Sequence, residues 1–364
     1  MAEVGIRMGR KTSSGSLSSA DSPGRSRLSS TISQPPSPTS SSTSSAAAPD
    51  LLAAVRSGAS LQQAAADLLE TYQGPAATAA LAALLQLLVS AAGSSAVVTP
   101  EMLEELEVEE LVARVAAEEH MQAAAQGAEA RKLRASMGEL LGHLVAVTSN
   151  SVIYDGRLMD LLVGLATSMS GCATRTVRHA GTLAAMEVMT ALVGVARREG
   201  ERQANAARQL EAEGRKAAKN RAADRLEVLR AKVAEARENT EELGQIMEHL
   251  YTSVFVLRCK DVAVEVRALC LEHLGGWVAE LPGRFLEDSR LKYLGWFLND
   301  PEPQVVTHDA EQFTEQRIRI LTEEGDLITP FTTVIFFFFF QKIIFRELLI
   351  SITKVFFLQH SPKN

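Results

Sequence analysis

The sequence is poor in the residues that build sheets, disulfides and metal sites. Aromatic residues make up only 5% of the 364 residues, and the three cysteines, Cys172, Cys259 and Cys270, form no CxxC pair. This spacing supports neither a disulfide framework nor a zinc site, and it is typical of a reducing compartment. We therefore expect no cofactor and no metal ion.

Catalytic and targeting motifs are also lacking. The sequence contains no GxxxxGK[ST], no GxSxG, no HExxH and no GxGxxG between a strand and a helix. The acidic run from Glu101 to Glu110 spreads around a helix at this spacing, so its carboxylates do not converge. The first thirty residues carry no apolar core of a signal peptide. These absences predict that the protein is not an enzyme.

Alanine and leucine dominate the 46% of hydrophobic residues, and this composition favours helix over strand. The net charge of -7 excludes a wholly basic nucleic-acid binder but leaves local basic patches possible. We predict an all-α fold with almost no strand. Its helices should be amphipathic and joined by short connections, which is the organisation of a HEAT-type α-solenoid.

Composition divides the chain into five segments. Residues 1–49 form a Ser/Pro-rich tail that should be disordered, and residues 50–198 carry the first helices. Thr99-Pro100 should begin one acidic helix running over 101–119, and further helices are expected at 129–150, 155–169 and 174–197. Residues 199–240 are almost continuously polar, with basic residues in excess, and predict a protruding charged hairpin that bends near Gly214.

Apolar residues return over 241–306, and residues 307–364 diverge from everything before them. From about residue 326 the chain is rich in Phe, Ile and Lys, whereas the body is rich in Ala, Gly and Arg. We interpret this stretch as a translated intron or a shifted frame. A membrane segment is the alternative, but the charges of Lys342, Arg346, Glu347 and Lys354 interrupt it.

Three stretches carry a resemblance to a known family. The first, SVIYDGRLMDLLVGLATSMSGCATRTVRHAGTLAAMEVMTALVGVA over residues 151–196, contains Asp155, Arg175, Arg178, His179 and Thr182. The second is the polar hairpin. The third covers residues 253–306 and includes the run LKYLGW that ends at Trp296. Together they resemble the stromalin family, the HEAT-repeat accessory subunits of cohesin, over roughly residues 60–306.

The resemblance implies a nuclear scaffold on chromatin that binds the kleisin subunit of cohesin, and through it the SMC subunits. It also implies contact with DNA through basic surface residues and capture of short aromatic-containing peptides of cohesin regulators. No membrane partner is implied. After Val306 the family pattern jumps, so the conservative domain is only begun in this sequence.

The resemblance places Tyr293 and Trp296 on the peptide-accepting surface, although their spacing alone also suits core packing. Trp277, in a more apolar helix, is expected in the core. Arg178 and His179 are expected inside, tying one repeat to the next by hydrogen bonds and an ion pair. The candidate DNA contacts, for which solvated surface charge is the competing interpretation, are Lys216, Lys219, Arg221, Arg258, Lys260, Arg267 and Lys292.

Two function classes remain open beside a cohesin scaffold acting in sister-chromatid cohesion and chromosome segregation. One is a truncated splice product without stable activity. The other is an unrelated HEAT-type adaptor, which requires the 175–193 and LKYLGW matches to be accidental. The sequence does not say which kleisin is bound or whether the role is mitotic or meiotic.

Overall fold

The computed structural model describes residues 50–117, 127–149, 151–215, 223–297, 300–302 and 305. All regular elements in these residues are helical. The predicted tail at 1–49, the divergent segment at 307–364 and the cluster of Lys216, Lys219 and Arg221 lie outside the described residues. The described part of the chain belongs to one compact unit.

Where the structure describes the residues between two helices, the connections are short. In chain order they are α1 (Leu51–Ser57), α2 (Leu61–Gln73), α3 (Ala77–Ala91), α4 (Pro100–Glu105), α5 (Val108–Ala116), α6 (Ala128–Thr148), α7 (Leu158–Gly171), α8 (Arg175–Gly214), α9 (Ala223–Leu250), α10 (Val256–Arg258), α11 (Val264–Glu280), α12 (Pro282–Phe285) and α13 (Asp288–Phe297). A 3-10 turn at Val152–Tyr154 precedes α7, and a π-helical turn at Tyr251–Phe255 continues α9.

Local capping explains where the first helices begin and end. The Asp50 side chain accepts a hydrogen bond from the Ala53 N–H (2.9 Å), which satisfies one free donor at the start of α1. Gly58 ends α1 in the left-handed region at φ 73°. Ser60 then caps α2 through the Gln63 N–H. These caps are local contacts, so the sequence around Asp50, Gly58 and Ser60 is enough to account for the boundaries of α1 and the start of α2.

The prediction of one continuous acidic helix over 101–119 is wrong. It begins at Pro100 as predicted, but the backbone is extended at Leu106 and Glu107, which separates α4 from α5. In a continuous helix Glu105 and Glu109 would lie one turn apart across this break, and like charges at that spacing destabilise a helix. The break also lets apolar side chains of both halves pack on the core.

Helix α8 is the central element, because it packs against α6, α7, α9 and α11. Its first half is apolar and buried, with Val177, Ala184, Met189 and Leu192 at most 1% exposed. By length and composition this stretch could cross a membrane, yet 72% of it is buried inside the fold. Burial against neighbouring helices accounts for its apolar character.

Helices α7 and α8 approach each other closely at Gly181. A Cβ atom added at this glycine would lie 2.5 Å from both the Cβ of Met169 and the backbone N of Ser170. Contacts this short do not occur between real Cβ atoms and their neighbours. The absence of a side chain at Gly181 therefore permits the packing of the two helices.

The predicted hairpin is present in the described residues as the distal part of α8 and the facing part of α9. Beyond Ala196, the buried side chains of α8 are those of Glu199 and Glu213, while the facing helix α9 contributes the buried Leu229 and Ala236. Helix α8 ends at Gly214, where a bend was predicted. Unlike the prediction, the helix runs unbroken from the core into the hairpin.

The C-terminal core is aromatic. Trp277 is fully buried, as predicted, and its ring lies among those of Phe255 and Phe285. Its indole Nε1–H donates to Thr190 Oγ1 on α8 (2.8 Å), so the polar atom of the ring is satisfied. The same hydroxyl contacts His273 Nδ1, and burial lowers the pKa of His273 to about 4. Helices α8 and α11 are thus joined by apolar and polar contacts together.

Candidate interaction surface

The structure separates the predicted peptide-binding pair. Tyr293 is only 5% exposed, and its ring makes edge-on contacts with Tyr251 and Phe255. Trp296, one turn further along α13, is 44% exposed. Their rings meet at right angles with centroids 4.9 Å apart. Tyr293 is therefore a core residue that supports Trp296, and of the two only Trp296 is exposed.

Lys260 lies against the exposed indole. Its Nζ is 3.6 Å from the centroid of the Trp296 ring, a cation–π geometry. Lys292, also exposed, has its Nζ 5.0 Å from the centroid of the Tyr293 ring. The two ammonium groups therefore lie against the neighbouring rings of Trp296 and Tyr293.

The turn that carries Lys260 is built around Asp261, whose side chain is 2% exposed. Its Oδ2 accepts from Arg178 Nε and from Arg258 Nη1, each at 2.9 Å, and its Oδ1 accepts from the Ala263 N–H. Burial alone would raise the pKa of the Asp261 carboxyl, but these hydrogen bonds and the two guanidinium charges hold it below its usual value. Asp261 thus connects α8 to the turn before α11.

Arg267 forms a second bridge nearby. Its Nε and Nη2 donate to the two carboxylate oxygens of Asp300 at 2.7 and 2.9 Å, and its Nη1 donates to the carbonyl of Asp261 at 2.8 Å. The side chains of Arg267 and Asp300 are 12% and 6% exposed. The forked guanidinium is therefore largely used within the protein.

These contacts divide the predicted DNA-contacting residues. Arg258 and Arg267 are held by buried carboxylates, so the structure does not present them as free surface cations. Lys260 and Lys292 are exposed. The three hairpin residues lie outside the described part of the chain, as stated above.

The family-hallmark residues have internal contacts. Asp155 accepts from the Tyr72 hydroxyl and from the backbone N–H groups of Arg157 and Leu158, which caps α7. Arg178 forms the ion pair with Asp261 and donates to two further carbonyls, those of Cys172 and Ala173. These bonds leave the Arg178 guanidinium little capacity for a ligand.

The other three hallmark residues lie along the first two turns of α8. Arg175 pairs with Glu265 at the start of α11. The Thr182 hydroxyl donates to the Arg178 carbonyl at 2.7 Å. His179 is half-buried, and burial followed by the nearby charge of Arg134 lowers its pKa. Of these three, Arg175 links α8 to α11, whereas the Thr182 hydrogen bond lies within α8.

Sequence reasoning missed Asp261 and Asp300. The clue at Asp261 was weak: an acid between two basic residues and a buried helix, in the run Arg258 to Val264. Asp300 is 33 positions from Arg267, so no local pattern links them. In the described residues, no three His, Cys, Asp or Glu side chains are grouped to hold a metal ion.

The helices and the exposed Trp296 define a helical-repeat protein with a candidate interaction surface. The STAG domain family matches residues 119–232, and the stromalin conservative domain family matches residues 260–320, beyond the boundary that the sequence pattern suggested at 306. The chain belongs to the stromalin family.

Relatives with curated names are subunits of cohesin. Over 262 residues the chain is 36% identical to cohesin subunit SA-3 of Homo sapiens. The aligned region covers 70% of this chain and 21% of that protein. Cohesin subunit scc-3 of Caenorhabditis elegans is 32% identical over 256 residues, with 69% and 23% covered. The chain therefore spans about a fifth of the length of these relatives.

A solved structure has the same fold. Cohesin subunit Scc3 from Z. rouxii superposes with a TM-score of 0.63 at 22% sequence identity, over 77% of this chain and 35% of that one. The likeness confirms the all-α, HEAT-type solenoid with its helical hairpin that the sequence predicted.

Proposed function

We propose that this protein is an accessory scaffold subunit of cohesin, without catalytic activity, that acts on chromatin in the nucleus. In this role it binds the kleisin subunit and, through it, the SMC subunits, and it contributes to sister-chromatid cohesion. Support comes from the two matched domains and from the cohesin subunits among its relatives. The adaptor alternative loses its basis, because both matches that it required to be accidental fall within those domains.

The observation that carries a binding role is the exposed Trp296, which has the Lys260 ammonium over its ring and the exposed Lys292 four residues earlier on the same helix. Trp296 is 44% exposed while the aromatic residues behind it are buried. An aromatic side chain of a partner can stack on the open indole, and acidic residues can pair with Lys260 and Lys292. We propose that this surface takes short peptides of cohesin regulators that combine an aromatic residue with acids.

Trp296→Ala is expected to weaken binding of such a peptide at least tenfold, because a central tryptophan anchor typically contributes about 2 kcal/mol or more. The probe is a short synthetic peptide with a central phenylalanine flanked by aspartates, titrated by fluorescence anisotropy. Val97→Ala, at an exposed apolar side chain elsewhere, is the matched control and should bind as the parent does. Equal affinity of the parent and Trp296→Ala contradicts the proposed surface.

DNA binding, which we also propose, should be weak, independent of sequence and sensitive to salt. If three or four phosphates are neutralised, log affinity should fall with log salt at a slope of about -3 to -4 on duplex DNA. Reversing Lys216, Lys219 and Arg221 together to glutamate should flatten that slope. An unchanged slope would move the contact to Lys260 and Lys292, because the guanidinium groups of Arg258 and Arg267 are engaged internally.

A matched control separates position from net charge. Arg56, Arg114 and Lys132 are exposed basic residues on other helices. Reversing these three to glutamate changes the net charge equally but should leave the slope closer to that of the parent. Equal flattening by the two triple variants would show that overall charge, rather than the hairpin, governs DNA binding.

A further inference from the structure

The contact between Lys260 and Trp296 joins two segments that are distant in sequence. Lys260 belongs to the turn before α11, and Trp296 lies near the C-terminal end of α13. Both side chains are exposed, so their own attraction adds only about 0.5–1 kcal/mol. Holding a flexible lysine in this place therefore requires a fixed backbone on both sides.

Arg267 supplies such a connection. On one side its Nη1 donates to the carbonyl of Asp261, the residue directly after Lys260. On the other side its Nε and Nη2 donate hydrogen bonds to the carboxylate of Asp300, which follows the end of α13. The Asp300 N–H itself donates to the Phe297 carbonyl at 3.0 Å. The planar Arg267 guanidinium thus connects the turn that carries Lys260 with the C-terminal end of α13, which carries Trp296.

We propose that Arg267 is a positioning residue that holds the Lys260 ammonium against one face of the Trp296 indole. The inference reassigns an arginine that sequence reasoning placed among the DNA contacts. A phosphate could reach the Arg267 guanidinium only by displacing Asp300, and this would leave a nearly buried carboxylate without a partner. The same fork can span two carboxylate oxygens and a carbonyl, which a lysine cannot do.

The fixed lysine sets the chemistry of the partner. With the ammonium held over the ring, the exposed part of Trp296 lies beside a defined positive charge. Such a surface selects peptides in which a carboxylate stands next to an aromatic residue, over peptides with the aromatic residue alone. This consequence rests on the proposed peptide-binding function, whereas the positioning of Lys260 does not.

Positioning can be read without any ligand, because the chain has only two tryptophans. In the ¹⁵N-labelled full chain, the indole N–H resonance of Trp296 is identified by its loss in Trp296→Phe. Lys260→Met gives the chemical shift of the Trp296 indole N–H in the absence of the ammonium group. Arg267→Gln is expected to move the Trp296 resonance towards that position, while the resonance of Trp277 stays in place. Adding Arg267→Gln to Lys260→Met should produce little further movement.

An unchanged Trp296 resonance in Arg267→Gln overturns the proposal, as does an equal displacement with and without Lys260. If Arg267→Gln fails to fold, as judged by the Trp277 resonance, Asp300→Asn weakens the same bridge from its other end and is read in the same way. Arg267→Lys keeps the charge without the fork and should resemble Arg267→Gln. If the Trp296 resonance of Arg267→Lys has the same chemical shift as in the parent, charge alone suffices and the geometric role is refuted.

Peptide titration tests the selectivity separately. For the peptide with a phenylalanine flanked by aspartates, Arg267→Gln and Lys260→Met should each lose roughly fivefold in affinity. For the same peptide with asparagines instead, the parent and both variants should bind equally. If neither peptide binds the parent, the proposed peptide-binding function fails, while the resonance experiment still decides whether Arg267 positions Lys260.

Discussion

Gly181→Ala is expected to lower the free energy of unfolding by about 3 kcal/mol, near the upper end of the usual range for overpacking. The new methyl group would meet the backbone of Met169 and Ser170 at 2.5–2.7 Å. Backbone atoms of a packed helix cannot rotate away as a flexible side chain can, so α7 and α8 must separate. Denaturant unfolding followed by circular dichroism measures the loss.

Gly200→Ala on the same helix is the matched control. A Cβ there has nothing within 4 Å, and an alanine inside a helix is favoured over glycine by about 1 kcal/mol. The two substitutions are chemically identical but should change stability in opposite directions. A Gly181→Ala variant as stable as the parent would show that the two helices do not approach as closely as described.

Asp261→Ala is expected to lower the free energy of unfolding by about 3–5 kcal/mol, because it leaves two buried guanidinium groups facing each other without their carboxylate. The side chains of Arg178 and Arg258 are only 10% and 20% exposed, so water screens their charges poorly. The same denaturant titration measures the effect. Glu201→Ala, which breaks an exposed pair with Arg197, should cost at most about 1 kcal/mol.

The contribution of the Asp261 carboxylate to the free energy of unfolding should depend on pH in a defined direction. The pKa of Asp261 is lower in the folded protein than its usual value of 3.8, so the carboxylate stabilises the fold above that pH. The stabilisation is lost as the pH falls through the folded pKa. The stability of the parent should therefore approach that of Asp261→Asn in strong acid and exceed it near neutral pH. A difference that is constant over this range would contradict the ionic role of Asp261.

The helices were predictable to the extent that local signals determine them. Pro100 starts α4, Gly214 ends α8, and the leucine and alanine patterns locate the buried faces. The break at Leu106 was missed, because apolar periodicity favours continuation and says nothing about the repulsion between neighbouring glutamates. The continuity of α8 was missed for the opposite reason: a change from apolar to polar composition marks the edge of the core, not the end of a helix.

The interaction surface was predictable only in part. The LKYLGW run located Trp296, but the spacing of three to Tyr293 could not show which of the two rings turns inward. The charges of Arg258 and Arg267 suggested a solvated basic surface. Their carboxylate partners come from a tight turn and from a residue 33 positions away, and such pairings depend on the tertiary arrangement of α11 and α13.

The unbroken helix from Arg175 to Gly214 makes the hairpin a lever. At 1.5 Å per residue its 40 residues form a rod about 60 Å long, of which roughly 25 Å lies beyond Arg198. A tilt of the helix by about 10° about Gly181, which is 33 residues and so about 50 Å from Gly214, would carry Gly214 through about 9 Å. The buried half is clamped at Arg178 and at Gly181, close to its origin. Force applied to the hairpin is therefore transmitted as torque to the helices around Asp261, and a small rearrangement there is magnified at the tip.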